Sequence, residues 1–246
     1  MTSLAGLAWR VSLAVGALVL GSTLLTAGAL GSSTKHHWVE LSGDRWRDNG
    51  GADLQLQGRW QLVTGRLGSL HAGQAVQFRE GSMGRVPSRA SLDPGRRTFA
   101  VAVVFRIPQG SRPFAGTDTP NIVQKGLFRS TGQWKLQLSP HDGGQVQCRV
   151  KGSDAAVMLT SSRGGVGRDG AWHTAACARF DDRVVLVVDG VVTTRWVHVG
   201  KVRSASPMTV GNRALNASSD QFRGVIDTIA VARAPRALAL ALSAVG

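Results

Sequence analysis

The sequence predicts an all-β chain, a jelly-roll sandwich of two antiparallel sheets, on three observations. The block 169–190, DGAWHTAACARFDDRVVLVVDG, holds two strand-length runs parted by Asp181-Asp182 and closed by Asp189-Gly190. Asp-Gly between apolar runs signals a hairpin, because both residues accept positive φ. Residues 172–180, 183–188 and 191–196 therefore read as three consecutive antiparallel strands. Short apolar runs then recur along the rest of the chain, with Gly, Pro, Asp and Asn between them. A helical period is almost nowhere visible, and many short strands at such spacing make a sandwich or jelly roll.

At the N-terminus, Arg10 is the only charge before a long apolar run, residues 11–27, and Ala27-Gly28-Ala29 is a small-x-small site. Residues 1–29 read as a signal peptide cleaved after Ala29. Left uncleaved, the run would just reach across a bilayer and make a membrane anchor. Both readings put the remainder outside the cytoplasm, secreted in the first case. Residues 30–50 are polar, with His36, His37, Trp38 and charges at 44–48, and read as a linker or N-terminal segment. One sandwich over 51–237 follows, and the apolar tail 238–246 is short enough to pack as a terminal helix.

Strands are expected at 54–56, 60–63, 75–78, 98–107, 121–124, 134–138, 145–150 and 155–159. After the block at 169–190 come 208–210 and 222–231. In the last of these, GVIDTIAV, strict alternation would turn Ile226 away from the face that Ile229 and Val231 share. One extra residue at Asp227-Thr228 restores all three to the core, so a β-bulge is expected there.

Cys148 and Cys177 are the two cysteines. In an exported protein an even count favours a disulfide, and both lie in strand sequence; two buried free thiols are the alternative. Net charge is +14, carried mostly by scattered arginines. No block or basic helix of the kind nucleic-acid binders use appears, so no specific nucleic-acid partner is expected. Scattered arginine with abundant Ala, Gly and Val also fits a GC-rich bacterial genome, with no functional meaning. The alternative is that the excess suits anionic surfaces such as wall polymers or lipid headgroups.

The ordered phrases carry a family resemblance. Ala75-Val76-Gln77-Phe78, Val86-Pro87-Ser88, Ser91-Leu92-Asp93-Pro94 and Ile122-Val123-Gln124-Lys125-Gly126 come first. Trp134-Lys135-Leu136, Asp169-Gly170-Ala171-Trp172-His173, Val188-Asp189-Gly190, Thr209-Val210-Gly211 and Gly224-Val225-Ile226-Asp227 complete the set. In this order they resemble the laminin G-like branch of the concanavalin A-like lectin/glucanase superfamily, with departures at Thr228 and Ala232. The resemblance implies a twisted two-sheet sandwich that binds carbohydrate or protein, often without catalysis. It also implies a Ca²⁺ site on loop oxygens, for which Asp118, Asn121, Asn212 and Asp220 are candidates. The plainer reading of those four is turn formation.

Catalysis on such a fold needs residues this chain lacks. Retaining glucanases set two carboxylates about 5–5.5 Å apart, and the two glutamates, Glu40 and Glu80, stand in no such motif. Polysaccharide lyases of the fold use a tyrosine, and the chain has none. A polysaccharide-degrading hydrolase or lyase is thus the alternative to a non-catalytic extracellular module. His173 beside Trp172 reads as structural, and His71, His141 and His198 lack metal-ligand spacing. No cofactor other than Ca²⁺ is implied. Trp134 and Trp196 are the candidate ligand platforms, since a flat ring stacks on a sugar, although core packing is the competing use of tryptophan. The expected partner is an extracellular glycan or protein surface, with a membrane only if the leader persists.

Overall fold

A computed structural model describes residues 37–42, 45–48, 53–66, 74–112, 119–215, 217, 219–233 and 237–245. The expected signal peptide lies outside the described residues. In chain order the strands begin with β1 (His37–Ser42), β2 (Arg45–Asp48), β3 (Asp53–Gln57), β4 (Trp60–Thr64), β5 (Gln74–Phe78) and β6 (Met83–Val86). They continue with β7 (Phe99–Arg106), β8 (Asn121–Lys125), β9 (Gln133–Ser139), β10 (Gln145–Lys151) and β11 (Ala156–Thr160). Then come β12 (Trp172–Arg179), β13 (Arg183–Val188), β14 (Val191–Trp196), β15 (Met208–Val210) and β16 (Val225–Arg233), before helix α1 (Ala237–Val245).

Every strand pairing is antiparallel. One sheet runs β2-β1-β16-β7-β12-β13-β14 and the other β3-β6-β15-β8-β9-β10-β11, and the two meet where β2 pairs with β3. The hairpin β4-β5 joins the first sheet through Val225 opposite Gln77 and Ile226 opposite Val76. This is the all-β jelly-roll sandwich that the sequence predicts.

Strand alternation explains the layers. Phe99, Val101, Val103 and Phe105 of β7 point inward, into one apolar cluster with Leu136, Leu138, Val146, Val150, Leu186 and Ile229. The residues between them, Ala100, Ala102 and Val104, face outward with Ala176, Ala178, Ala230 and Ala232. Helix α1 packs on this second face through Ala241, with Leu238 and Leu242 alongside. A strand buried on both faces reads as a continuous apolar run, and alanine on the outer side lets a helix approach closely.

Two local expectations are met in detail. Asp189 and Gly190 have φ of 47° and 82°, the paired positive values of a tight hairpin. In β16, Ile226 pairs with Phe105 and Thr228 with Val104, so Asp227 is the extra residue of a bulge. Ile226, Ile229 and Val231 consequently all enter the main core. The displaced Asp227 is fully buried, its carboxylate accepting from the Arg66 amide at 3.2 Å and the Thr228 hydroxyl at 2.9 Å.

Three elements extend the expected organisation. The segment 30–50 is more than a linker, because β1 pairs with β16 and β2 with β1 inside the first sheet. Charged strand residues hid this, since HWVELS and RWRD carry too few apolar side chains to stand out. The strand β6 was not expected, its Gly84 and Arg85 breaking the apolar run. The tail 238–246 packs as the expected terminal helix, and it does so on the outer face of the first sheet.

The disulfide joins Cys148 on β10 to Cys177 on β12, with Cα atoms 5.6 Å apart, and so ties one sheet to the other. It closes a loop with a sequence separation of 29. Replacing both cysteines by alanine is expected to cost roughly 3–4 kcal/mol on the loop-entropy model. Urea unfolding of wild type and the double variant measures this, and equal midpoints would contradict a stabilising cross-link.

Candidate functional site

The two tryptophan candidates part company in the structure. Trp134 is 1% exposed, lies in the main core against Phe99, and donates its Nε1–H to the Leu92 carbonyl at 3.3 Å. It offers no face to a ligand, which corrects its candidacy. Alternation puts it on the same side of β9 as Leu136 and Leu138. Trp196 is 70% exposed at the end of the edge strand β14. Its ring stacks on the Arg183 guanidinium at 5.0 Å, which in turn covers Phe180 at 4.6 Å. A guanidinium between two rings holds the indole in one orientation. Trp172 is half-buried under Arg106, at 4.8 Å, on the outer face of the first sheet.

The calcium candidates lie at the opposite end of the sandwich from Trp196, and Asp118 is outside the described residues. The Asn121 Oδ1 accepts from the Lys135 ammonium at 3.0 Å, and Asp220 faces Arg213 at 3.5 Å. Asn212 is interior, its Nδ2 donating to Gln221 Oε1 at 2.9 Å and to the Ala217 carbonyl at 3.2 Å. Burial lowers the Lys135 pKa to about 8, with Asp220 opposing that fall. Protein cations thus already stand beside two of these oxygens.

His173 is a clip. It is 1% exposed, and both ring nitrogens are taken, Nδ1 with Asp189 Oδ2 at 2.8 Å and Nε2 with Asp169 Oδ1 at 2.9 Å. Asp189 also accepts from the Thr174 amide at 2.9 Å and pairs with Arg163 at 2.8 Å. Burial by itself would lower the His173 pKa, but the two carboxylates outweigh it and raise the value above 6.5. Burial likewise opposes ionisation of Asp169 and Asp189, yet the bonds to His173 hold both below 3.8. A histidine engaged at both nitrogens has none left for acid–base work.

The end that carries Trp196 also holds a cleft of about 870 Å³. Four cations line it: Arg129 from the β8–β9 loop, Lys151 from the end of β10, and Lys201 and Arg203 from the segment before β15. Hydroxyls of Ser130, Thr131, Ser153, Ser204 and Ser206 stand between them, and among the described residues no carboxylate lines it. Among the described residues, none of the four cations forms an ion pair.

Backbone contacts fix these walls. A Cβ on Gly132 would strike the Arg203 backbone, and one on Gly152 would strike the Val199 carbonyl. Only glycine permits so close an approach. The Ser153 amide donates to the Lys201 carbonyl at 3.0 Å, and the Lys201 amide to Ser153 Oγ at 2.9 Å. Beneath the floor, buried Lys125 donates to the carbonyls of Ser204 at 2.9 Å and Ser206 at 2.7 Å, and to Ser88 Oγ at 2.9 Å. Burial lowers its pKa, offset in part by Asp93. On the rim, Phe128 is 68% exposed and lies over Arg149 at 4.2 Å. His198, two residues beyond Trp196, reaches Asp154 Oδ2 at 3.2 Å in the turn that carries Ser153. Cleft, Phe128 and Trp196 thus share one end of the sandwich. The four cations were missed in the sequence because they are spread from residue 129 to residue 203.

No family model and no curated protein matches the chain. Solved structures do. The binding domain of Paraclostridial Mosquitocidal Protein 1 superposes with a TM-score of 0.64 at 16% identity, over 84% of this chain and 51% of that one. The binding domain of Botulinum neurotoxin DC, solved in complex with rat synaptotagmin II, gives 0.59 at 11%, over 80% and 47%. Domain 4 of AbnA, an extracellular arabinanase of family GH43 from Geobacillus stearothermophilus in complex with arabinotriose, gives 0.50 at 15%, over 82% and 97%. The chain spans about half the length of the toxin binding domains it matches. These likenesses establish the class of fold, an all-β jelly-roll sandwich.

Two tests follow from this geometry. The His173 contribution is full below about pH 6.5 and fades as pH rises through its higher native value, while the two aspartates contribute above about pH 3.8. Wild type should therefore lose stability as pH rises above about 6.5 and through the native His173 value, and His173→Gln should lose less over the same rise. Parallel slopes in urea unfolding would contradict the clip. Gly152→Ala should cost about 1–3 kcal/mol by forcing the turn off Val199, read from the same unfolding curves; an unchanged midpoint would show that the turn yields.

Proposed function

We propose that the protein is a non-catalytic binding module that works outside the cytoplasm and holds an extracellular glycan or another cell-surface component at the cleft end. The observation that carries this reading is one end of the sandwich presenting a cleft lined by Arg129, Lys151, Lys201 and Arg203 together with two exposed aromatic rings. Aromatic faces and convergent polar groups are what a concave ligand site requires. The disulfide and the leader-like sequence at 1–29 agree with export and secretion. The structural neighbours are binding domains, two from toxins and one solved with a trisaccharide, which supports the same reading by analogy of fold.

The chemistry of the site argues for binding without turnover. No carboxylate pair lines the cleft, and Glu80 is a largely exposed residue facing Arg223 at 3.6 Å. His173 is sealed away at the other end. Binding needs no Ca²⁺ on this reading, because Lys135 and Arg213 already supply positive charge beside Asn121 and Asp220.

An array of glycans and wall polymers, probed with and without EDTA, tests the proposal. Wild type should bind at least one class regardless of EDTA. Trp196→Ala and the pair Lys151→Ser/Arg203→Ser should each weaken that binding about tenfold or more, which is about 1.4 kcal/mol. Retention of full binding by both variants would remove the cleft end from the reading. Turnover of any polysaccharide, abolished by a carboxylate substitution, would replace it with an enzyme.

A further inference from the structure

The inference rests on the cleft as the binding site. We infer that the cleft is a receptor for tetrahedral oxyanion esters, phosphate or sulfate, repeated along an extracellular polymer.

Charge comes first. Four cations converge on one concavity with no carboxylate among the described lining residues, while Lys125 beneath the floor is paired with Asp93 at 3.5 Å. Like charges held this close repel one another and weaken the fold, so their grouping is understandable when an anion offsets it. Some arginines elsewhere do meet a carboxylate: Arg163 pairs with Asp189, Arg183 with Asp182 and Arg213 with Asp220.

Geometry narrows the anion. A planar carboxylate is best met by one guanidinium fork in its own plane. Here lysine point charges and five hydroxyls alternate with two arginines on three separate loops. Donors from several directions match an oxyanion that presents acceptors on all sides. The cleft is also wide for one such group, since its cations come from loops on both sides, which suits successive esters along a chain. The walls are joined through backbone contacts at Gly132, Gly152, Ser153 and Lys201, so binding orders side chains only.

The test measures binding of poly(glycerol phosphate), dextran sulfate, polygalacturonate, neutral dextran and a single-stranded oligonucleotide to the full chain. The proteins are wild type, Arg129→Ser/Arg203→Ser, Lys151→Ser/Lys201→Ser, and a control, Arg59→Ser/Arg168→Ser, that removes equal charge at the far end. The first two polymers should bind wild type, and the stronger of them identifies the ester. Polygalacturonate should bind at least about tenfold more weakly, and affinity should fall steeply with added salt. Both cleft variants should lose about thirtyfold or more with unchanged or raised melting temperatures, while the control stays near wild type.

Neutral dextran binding as tightly as the charged polymers, and lost in the cleft variants, would overturn the oxyanion inference and leave glycan binding standing. Equal binding of polygalacturonate would overturn the preference for tetrahedral groups. Preference for the oligonucleotide would replace the polymer with nucleic acid. Equal losses in cleft variants and control would reduce the effect to net charge. Binding to none of the five would overturn the inference alone if the wider array still finds a ligand, and both readings if it does not.

Discussion

Phe99, Val101, Val103 and Phe105 on one sheet, and Leu136, Leu138, Val146 and Val150 on the other, share a single apolar interior. Removing this surface from water is the main favourable term in such a fold, at about 25 cal/mol per Å². Because strand side chains alternate, the face each residue occupies follows from that one contact. Trp134 is held inside by the parity of Leu136, and Ile226 can join Ile229 only through the bulge at Asp227. The bond between Cys148 and Cys177 crosses the same interior. It fixes the two sheets only a few residues from where Lys151 and Arg179 end their strands.

The cleft follows from this arrangement. Once β8, β9, β10 and β15 are in register, the β8–β9 turn, the β10–β11 turn and the segment entering β15 lie at one end, which brings Arg129, Lys151 and Arg203 together. Lys125 then performs the task a longer core would otherwise have, drawing two carbonyls of the 204–206 segment down onto the sheet. Arg179 does the same for the segment before β7, donating to the carbonyls of Gly95, Arg96 and Arg97. Buried cations satisfied by main-chain oxygens are costly to desolvate, but each replaces several otherwise unmet acceptors. The fold therefore uses interior polarity to hold loops, and those from the 204–206 segment help to line the basic cleft.

Much of this was legible in the residues. Apolar alternation with Asp-Gly and Pro-Gly punctuation located most strands, and the mismatch in GVIDTIAV pointed to the bulge and its direction. The cysteines could be paired because an exported chain with two of them, both in strands, has few other arrangements. Physical reasons account for the rest. Strands β1, β2 and β6 carry charge or glycine where pattern reading looks for apolar residues, and sheet neighbours impose their conformation. Whether a tryptophan faces inward depends on register with another strand, which a single run such as WKLQL does not contain. The basic cleft is assembled from three loops distant in the chain, so charges that look scattered along the sequence become one patch only after folding.

The place of β16 has a consequence for how the protein is made. It is the last strand in chain order, yet it lies inside the first sheet, paired with β7 on one edge and with β5 and β1 on the other. Until residues 225–233 have emerged, β7 and β1 have no common neighbour, and that sheet stays in two parts. A chain delivered N-terminus first, from a ribosome or through a translocation pore, thus reaches completion late, when long-range contacts form together. Delayed closure leaves the apolar strands of the first sheet without their central partner until that point.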